Sequence, residues 1–219
     1  MCDVQVLREP RQDGVTNMHL DTVLLERAEQ GQIGGRIYSW DGVWVTVGRF
    51  QSVERDIIDP DNVRWVRRPT GGKAVIHGHD VTIGCAIPLL ALPISDRRSI
   101  KSVYRVAVAP IVEALAACGL NAVLAADTEF HGKGVHSGDC FAFSSPNDVV
   151  DGHTGRKICG CALRLTDTAV LLQASVPNGH PLVEPSSIIL NAEHLEPIIW
   201  NDSGIEHALA TALNRGWSQ

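Results

Sequence analysis

Residues 156–177, RKICGCALRLTDTAVLLQASVP, hold two long strand-forming runs separated only by Asp167-Thr168. Runs of this kind with so short a break read as paired strands, and they place a sheet at the centre of the fold. Upstream, DVV and RKICG flank the turn DGHTG, while RIYSW and VWVTVGRF flank Asp41-Gly42, which predicts a second hairpin. NVRWVRRPT, KAVIH and VTIGCAIP read as further strands around a Gly71-Gly72 break, and so do NAVLAA and DCFAF. Helices are few. TNMHLDTVLLERAEQG predicts one with Leu20, Val23, Leu24 and Ala28 on its inner face, capped by Thr16 or Asn17 and ended by Gly31. Ser99 to Cys118 predicts a second, closed by Gly119, and SGIEHALATALNR a third that opens on a Ser203-to-Glu206 capping box. The expected fold class is α+β, a mixed β-sheet with flanking helices, not a regular βαβ winding. The expected organisation is one domain over 1–219 without a C-terminal accessory domain.

Composition removes several classes of function. The net charge of −6 disfavours a nucleic-acid partner, which usually needs a basic face. No apolar run approaches the ~18 residues of a membrane span. The start, MCDVQVLREPRQDG, lacks the basic n-region and apolar stretch of a signal peptide. The cysteines at 2, 85, 118, 140, 159 and 161 form no C-x-x-C pair, and Cys159 and Cys161, two apart on a strand, are poorly set for a mutual disulfide. A reducing, cytoplasmic protein with free thiols is expected.

Chemistry concentrates in three segments. RWVRRPTGGKAVIHGHD places Arg64, Arg67, Arg68 and Lys73 around a double glycine, where cations could meet a carboxylate or phosphate. The spacing is not that of a Walker A loop, and solvated arginines beside a plain glycine turn are the ordinary alternative. GRKICGCALR sets Lys157 near Gly160, a strand glycine of the sort that lets a ligand or another backbone pass close. An ammonium there can polarise an acyl carbonyl or sit as a surface charge. HSGDCFAF places Cys140 at the expected mouth of a strand, either as a small core residue or as a nucleophile. Lys157 would lower its pKa, and His136 is a conceivable base. His77 and His79 beside Asp80 lack a third ligand at a diagnostic spacing, so no metal site is expected.

Taken in order, these segments resemble the biotin/lipoate protein ligase and octanoyltransferase family. NMHLDTVLLERAEQG is similar to its Asn-Met-x-x-Asp helix, and VTVGRFQSVERDI to its strand ending in Gly-Arg-x-Gln. RRPTGGKAVIHGHDVT is similar to its arginine–glycine signature, and GRKICGCALR to its Gly-x-Lys-x-x-Gly-x-Ala-x-Arg signature. The resemblance implies the class II aminoacyl-tRNA synthetase/biotin synthetase-like catalytic fold, with a tunnel for a medium-chain acyl group. Arg68, Gly71, Gly72, Lys73, Ala74, His77, Gly160 and Ala162 would bind the substrate, and Cys140 and Lys157 would be catalytic. Lys73 in place of a third glycine, and the Cys140-Phe141 pair, resemble the octanoyltransferases more than the ATP-dependent ligases.

That resemblance implies a transferase that needs no cofactor. An octanoyl or lipoyl group would pass from acyl carrier protein to Cys140, then to a lysine of an E2 lipoyl domain or the glycine cleavage H protein. Arg64, Arg67 and Arg68 would dock the carrier. The alternatives are a lipoate-protein ligase using ATP and Mg through an adenylate, and a non-catalytic acyl-binding homologue. LLQASVP stands where many relatives have Leu-Gln-His-Gly-Ser, and Cys159 and Cys161 read as packing.

Overall fold

The computed structural model describes residues 4–134, 137–192 and 194–215. Its strands are β1 (Val6–Arg8), β2 (Gly34–Tyr38), β3 (Trp44–Val47), β4 (Trp65–Arg67), β5 (Val75–His77) and β6 (Asp80–Pro88), then β7 (Ala122–Leu124), β8 (Lys133–Gly134), β9 (Phe143–Ser144), β10 (Val149–Asp151), β11 (Lys157–Leu165) and β12 (Ala169–Pro177). The helices are α1 (Gly14–Glu29), the single turn α2 (Val53–Asp56), α3 (Ile100–Ala107), α4 (Ala109–Ala117) and α5 (Ile205–Arg215).

A seven-stranded sheet in the order β1-β2-β6-β12-β11-β10-β7 forms the body, and β4-β3-β5 form a smaller sheet beside it. The β1–β2 pair is parallel and the remaining neighbours in the large sheet are antiparallel, so it is mixed, as expected. The hairpin across Asp167-Thr168 forms, with Leu165 opposite Val170 and Gly160 opposite Ser175. β6 and β12 are buried along their whole length, because helices or the second sheet cover both faces. Val103, Ile111 and Leu115 of α3 and α4, with Leu209 and Leu213 of α5, pack under one face. Leu25 and Ala28 of α1 pack with Ala86, Ala169 and Leu171 on another cluster, and the small sheet has its own core around Val45, Val47 and Ile76.

Four local expectations are corrected. Asp41-Gly42 is not a hairpin turn: β2 stays in the large sheet while β3 joins the small one, where it lies between β4 and β5. Positive φ at Gly42 (110°) turns the chain from one sheet to the other. Asp13, not Thr16 or Asn17, caps α1 by accepting the Thr16 N–H, and the helix buries Asn17, Met18, Asp21, Leu25 and Ala28 while Leu20, Val23 and Leu24 are only half-buried. The stretch after Ser99 is two helices, broken at Val108 ahead of Pro110, whose missing N–H and ring disfavour a continuous helix. At α5, the Ser203 N–H donates to Asn201 Oδ1 and the Glu206 carboxylate pairs with Arg8, so Glu206 does not close the expected capping box.

Candidate active site

DCFAF is not a strand, apart from the two-residue ladder that starts at Phe143. Ser137 Oγ accepts the Asp139 N–H and Asp139 Oδ1 accepts the Phe141 N–H, so short polar side chains bend the backbone out of a ladder. Two backbone bonds pin this loop to the small sheet: Ala74 N–H donates to Gly138 O at 2.9 Å, and Cys140 N–H donates to Ala74 O at 2.8 Å. Lys157 arrives from the first position of β11 in the large sheet. The two sheets together bring its Nζ to 3.4 Å from Cys140 Sγ and 2.5 Å from Cys140 O. Phe143 O accepts from the same nitrogen at 3.2 Å, and Asp148 Oδ2 stands 2.9 Å away.

Electrostatics hold this pair as thiol and ammonium. Burial pushes the Cys140 thiol above its ordinary value; Asp148 and Asp139 push the same way, against Lys157 and Arg68. The expected depression of the thiol by Lys157 is therefore outweighed. Burial opposes the charge on Lys157, but Cys140 and Asp148 more than offset it and raise the ammonium above an ordinary lysine.

A narrow apolar slot of about 30 Å³ opens beside the thiol. Its lining comes from both sheets and α1: Met18, Tyr38, Trp40, Thr46, Arg68, Val75, His77, Thr82, Cys140, Gly160, Cys161, Ala162, Gln173, Ala174 and Ser175. A mostly apolar lining with a few polar groups is the make-up of small-ligand sites. Arg68 is buried, and its Nε and Nη atoms donate to Gly71 O, Lys73 O, Thr46 O and Thr46 Oγ1. It shapes the glycine loop from inside and offers no face to a carrier protein. Gly72, at φ 86°, passes so close to Arg68 that a Cβ would meet Nη2 at 2.8 Å.

Other residues expected at the substrate fall elsewhere. Gly72 and Lys73 line a second, open groove of about 480 Å³ with Phe50, Arg55 and Leu190, and Lys73 Nζ bonds Ser137 O. Gly71 is not among the slot's lining residues, and its carbonyl accepts from Arg68. Ala74 is fully buried and acts through its backbone on the Cys140 loop. His77, by contrast, does line the slot; it stacks on Trp40 at 3.9 Å and is fixed between Thr46 Oγ1 (2.9 Å) and Asp80 Oδ2 (2.8 Å). Asp80 also accepts from Thr82 and Ser175; burial opposes its charge, but His77 and the Ser175 hydroxyl lower its pKa to about 2. Ser175 and Gln173 are thus polar groups along the stretch LLQASVP. Cys159 sits in the core and Cys161 on the slot, with their sulfurs 3.5 Å apart. His136 lies outside the described residues. No group of three or more His, Cys, Asp or Glu among the described residues could hold a metal ion.

Motif reading missed a buried polar cluster that ties α1 to the large sheet and to the glycine loop. Arg36 donates to Asp21, Asn17 and Glu9, while Tyr38 and Gln173 also bond Asp21. Gln173 accepts in turn from Thr70 at 2.6 Å, next to the glycine loop. The Asn-Met-x-x-Asp spacing was the signal for it, since Asn17, Met18 and Asp21 share one helix face.

A thiol and a buried ammonium thus meet beside an apolar slot between the two sheets. The chain belongs to the lipoyl protein ligase A/B catalytic domain family, whose model matches residues 13–184. It is 32% identical over 173 residues to an octanoyltransferase LipM of Anoxybacillus flavithermus, covering 73% of this chain and 60% of that protein. It is 31% identical over 176 residues to LipM of Bacillus cereus, with 74% and 60% covered. The chain thus spans about 60% of the length of these relatives. In fold it is similar to a bi-partite lipoate protein ligase from Thermoplasma acidophilum (TM-score 0.67, 19% identity, 98% of this chain and 84% of that one). It is also similar to a lipoate-protein ligase A bound with ATP (TM-score 0.70, 21% identity, 97% and 84% covered).

Proposed function

We propose that this protein is a cysteine-dependent octanoyltransferase of protein lipoylation. The observation that carries the reading is the 3.4 Å approach of Lys157 Nζ to Cys140 Sγ beside the apolar slot. The LipM relatives support the same chemistry. Cys140 sulfur adds to the carbonyl carbon of an octanoyl thioester carried by acyl carrier protein, and the carrier's C–S bond breaks to leave an acyl-enzyme. Lys157 faces the forming oxyanion with a fixed positive charge. A lysine amine of an E2 lipoyl domain or the glycine cleavage H protein then displaces Cys140 and forms an amide. Exchanging a thioester for an amide is downhill, so no nucleotide is required. A lipoyl group fits the same scheme.

Intact mass after mixing with octanoyl-acyl carrier protein, without ATP, tests this reading. The expected result is one octanoyl adduct that hydroxylamine removes and that Cys140→Ser does not form. No adduct, together with lipoyl-domain labelling that needs lipoate and ATP, would make the protein a ligase instead. Octanoyl binding without either reaction would make it an acyl-binding homologue.

A further inference from the structure

Asp148 belongs to none of the motifs above, yet it is part of the site's interior. It immediately precedes β10, its side chain is 4% exposed, and its Oδ2 stands 2.9 Å from Lys157 Nζ. The same oxygen accepts the Ser145 N–H at 2.7 Å, and Oδ1 accepts the Cys161 N–H at 3.5 Å. The carboxylate is therefore fixed by its own turn, by β11 and by the ammonium. An ammonium has three protons. Around Nζ stand more acceptors than that: Cys140 O, Asp148 Oδ2, Phe143 O and Cys140 Sγ. One nitrogen thus touches both the thiol and the carboxylate.

We propose that Asp148 is the proton-holding member of a Cys140–Lys157–Asp148 relay and acts on the sulfur only through the Lys157 nitrogen. The proposal rests on the thioester-transfer reading. As Sγ bonds to the acyl carbon, the S–H proton passes to Nζ while an Nζ proton passes to Asp148 Oδ2. Lys157 stays an ammonium, Asp148 becomes a neutral acid, and the negative charge moves to the carbonyl oxygen. When the donor's C–S bond breaks, the proton returns by the same route to the leaving thiolate. One thioester has replaced another and no proton is gained or lost.

The surroundings supply the need for such a relay. Burial keeps the thiol protonated, and a lysine held as a cation cannot itself be the base. Arg68, the other cation acting on the sulfur, has its donors on backbone carbonyls and Thr46. Asp139, on the thiol's own loop, accepts from Phe141 N–H. The Asp148 charge also acts on Tyr104 of α3 and on Cys159, whose protons burial and their neighbours hold more tightly than usual. Among the described residues, Asp148 is the carboxylate paired with Lys157.

The test compares Asp148→Asn and Asp148→Glu in the whole protein by two readouts. One is kcat and KM for octanoyl transfer from acyl carrier protein; the other is the pH dependence of Cys140 alkylation by iodoacetamide, followed by mass. In Asp148→Asn, kcat should fall about a hundred-fold with KM nearly unchanged, because the proton acceptor is gone. The alkylation midpoint should move to lower pH, because an anion that raises the thiol has been removed. Asp148→Glu should recover part of kcat. A fall of transfer and alkylation together marks a merely structural residue and overturns the relay, as does kcat within about twofold of wild type. Wild-type protein that forms no acyl-enzyme would sink the transfer reading itself; the outcomes just named sink the relay alone.

Discussion

A Cβ built on Gly160 would stand 3.1 Å from Cys140 Sγ and 3.5 Å from Lys157 Cε and the Phe141 ring. The position has no room for a side chain unless the thiol gives way by a few tenths of an ångström. Gly160→Ala should therefore keep the strand, which lies in a paired stretch opposite Ser175, and slow acylation of Cys140 about tenfold. Stopped-time mass measurement of the acyl-enzyme checks it; unchanged acylation would mean that the thiol has slack the geometry does not suggest. Gly72 shows the same economy on the other wall, where its positive φ and missing side chain let the loop lie on Arg68. Both glycines were legible as places of close approach. Asp148 was not, because a single aspartate in a turn region carries no spacing that relates it to Lys157.

At the level of elements, the buried pair of Asp21 on α1 and Arg36 on β2 fastens the helix over the slot. Burial lifts the Asp21 carboxyl, against the pull of Arg36 and Tyr38, so its ionised form depends on those partners. Arg36→Met leaves that carboxylate buried without its cation and should cost about 3–5 kcal/mol in urea unfolding. Adding Asp21→Asn to that variant should return part of the loss; a single variant within about 1 kcal/mol of wild type would show that water replaces the guanidinium. Elements were legible where local signals and tertiary pairing agreed, as at Asp167-Thr168 and at the Asp151–Gly155 turn. They failed where one sheet borrows strands from the other. Asp41-Gly42 has the local chemistry of a hairpin, yet β2 and β3 find partners far away in sequence, β6 for one and β4 and β5 for the other. The inward face of α1 was misplaced because two of its buried residues, Asn17 and Asp21, are polar and only the polar cluster explains them.

Across the whole molecule, Asp80 links the sheets to acid stability. It is held at about 2 in the folded protein, chiefly by His77 and Ser175 working against burial, and has an ordinary value near ~3.9 when unfolded. A lowered carboxyl stabilises the fold above the unfolded value and loses that contribution as pH falls through the folded one. Urea midpoints should therefore drop between about pH 4 and pH 2, with about 2 kcal/mol of the loss due to Asp80. Asp21, raised by burial, works in the opposite sense and softens the fall. Asp80→Asn should be less stable at pH 7 and flatter through that window; an equally steep acid limb in the variant would assign the loss to other carboxyls.

Cys140 stands on a loop outside the two larger sheets, tethered at Ala74, while the cation beside it is built into β11. Scaffold and reagent are thus separately heritable. The sulfur can be removed without unpicking a sheet, and what remains is the apolar slot between the two sheets with its cation still in place.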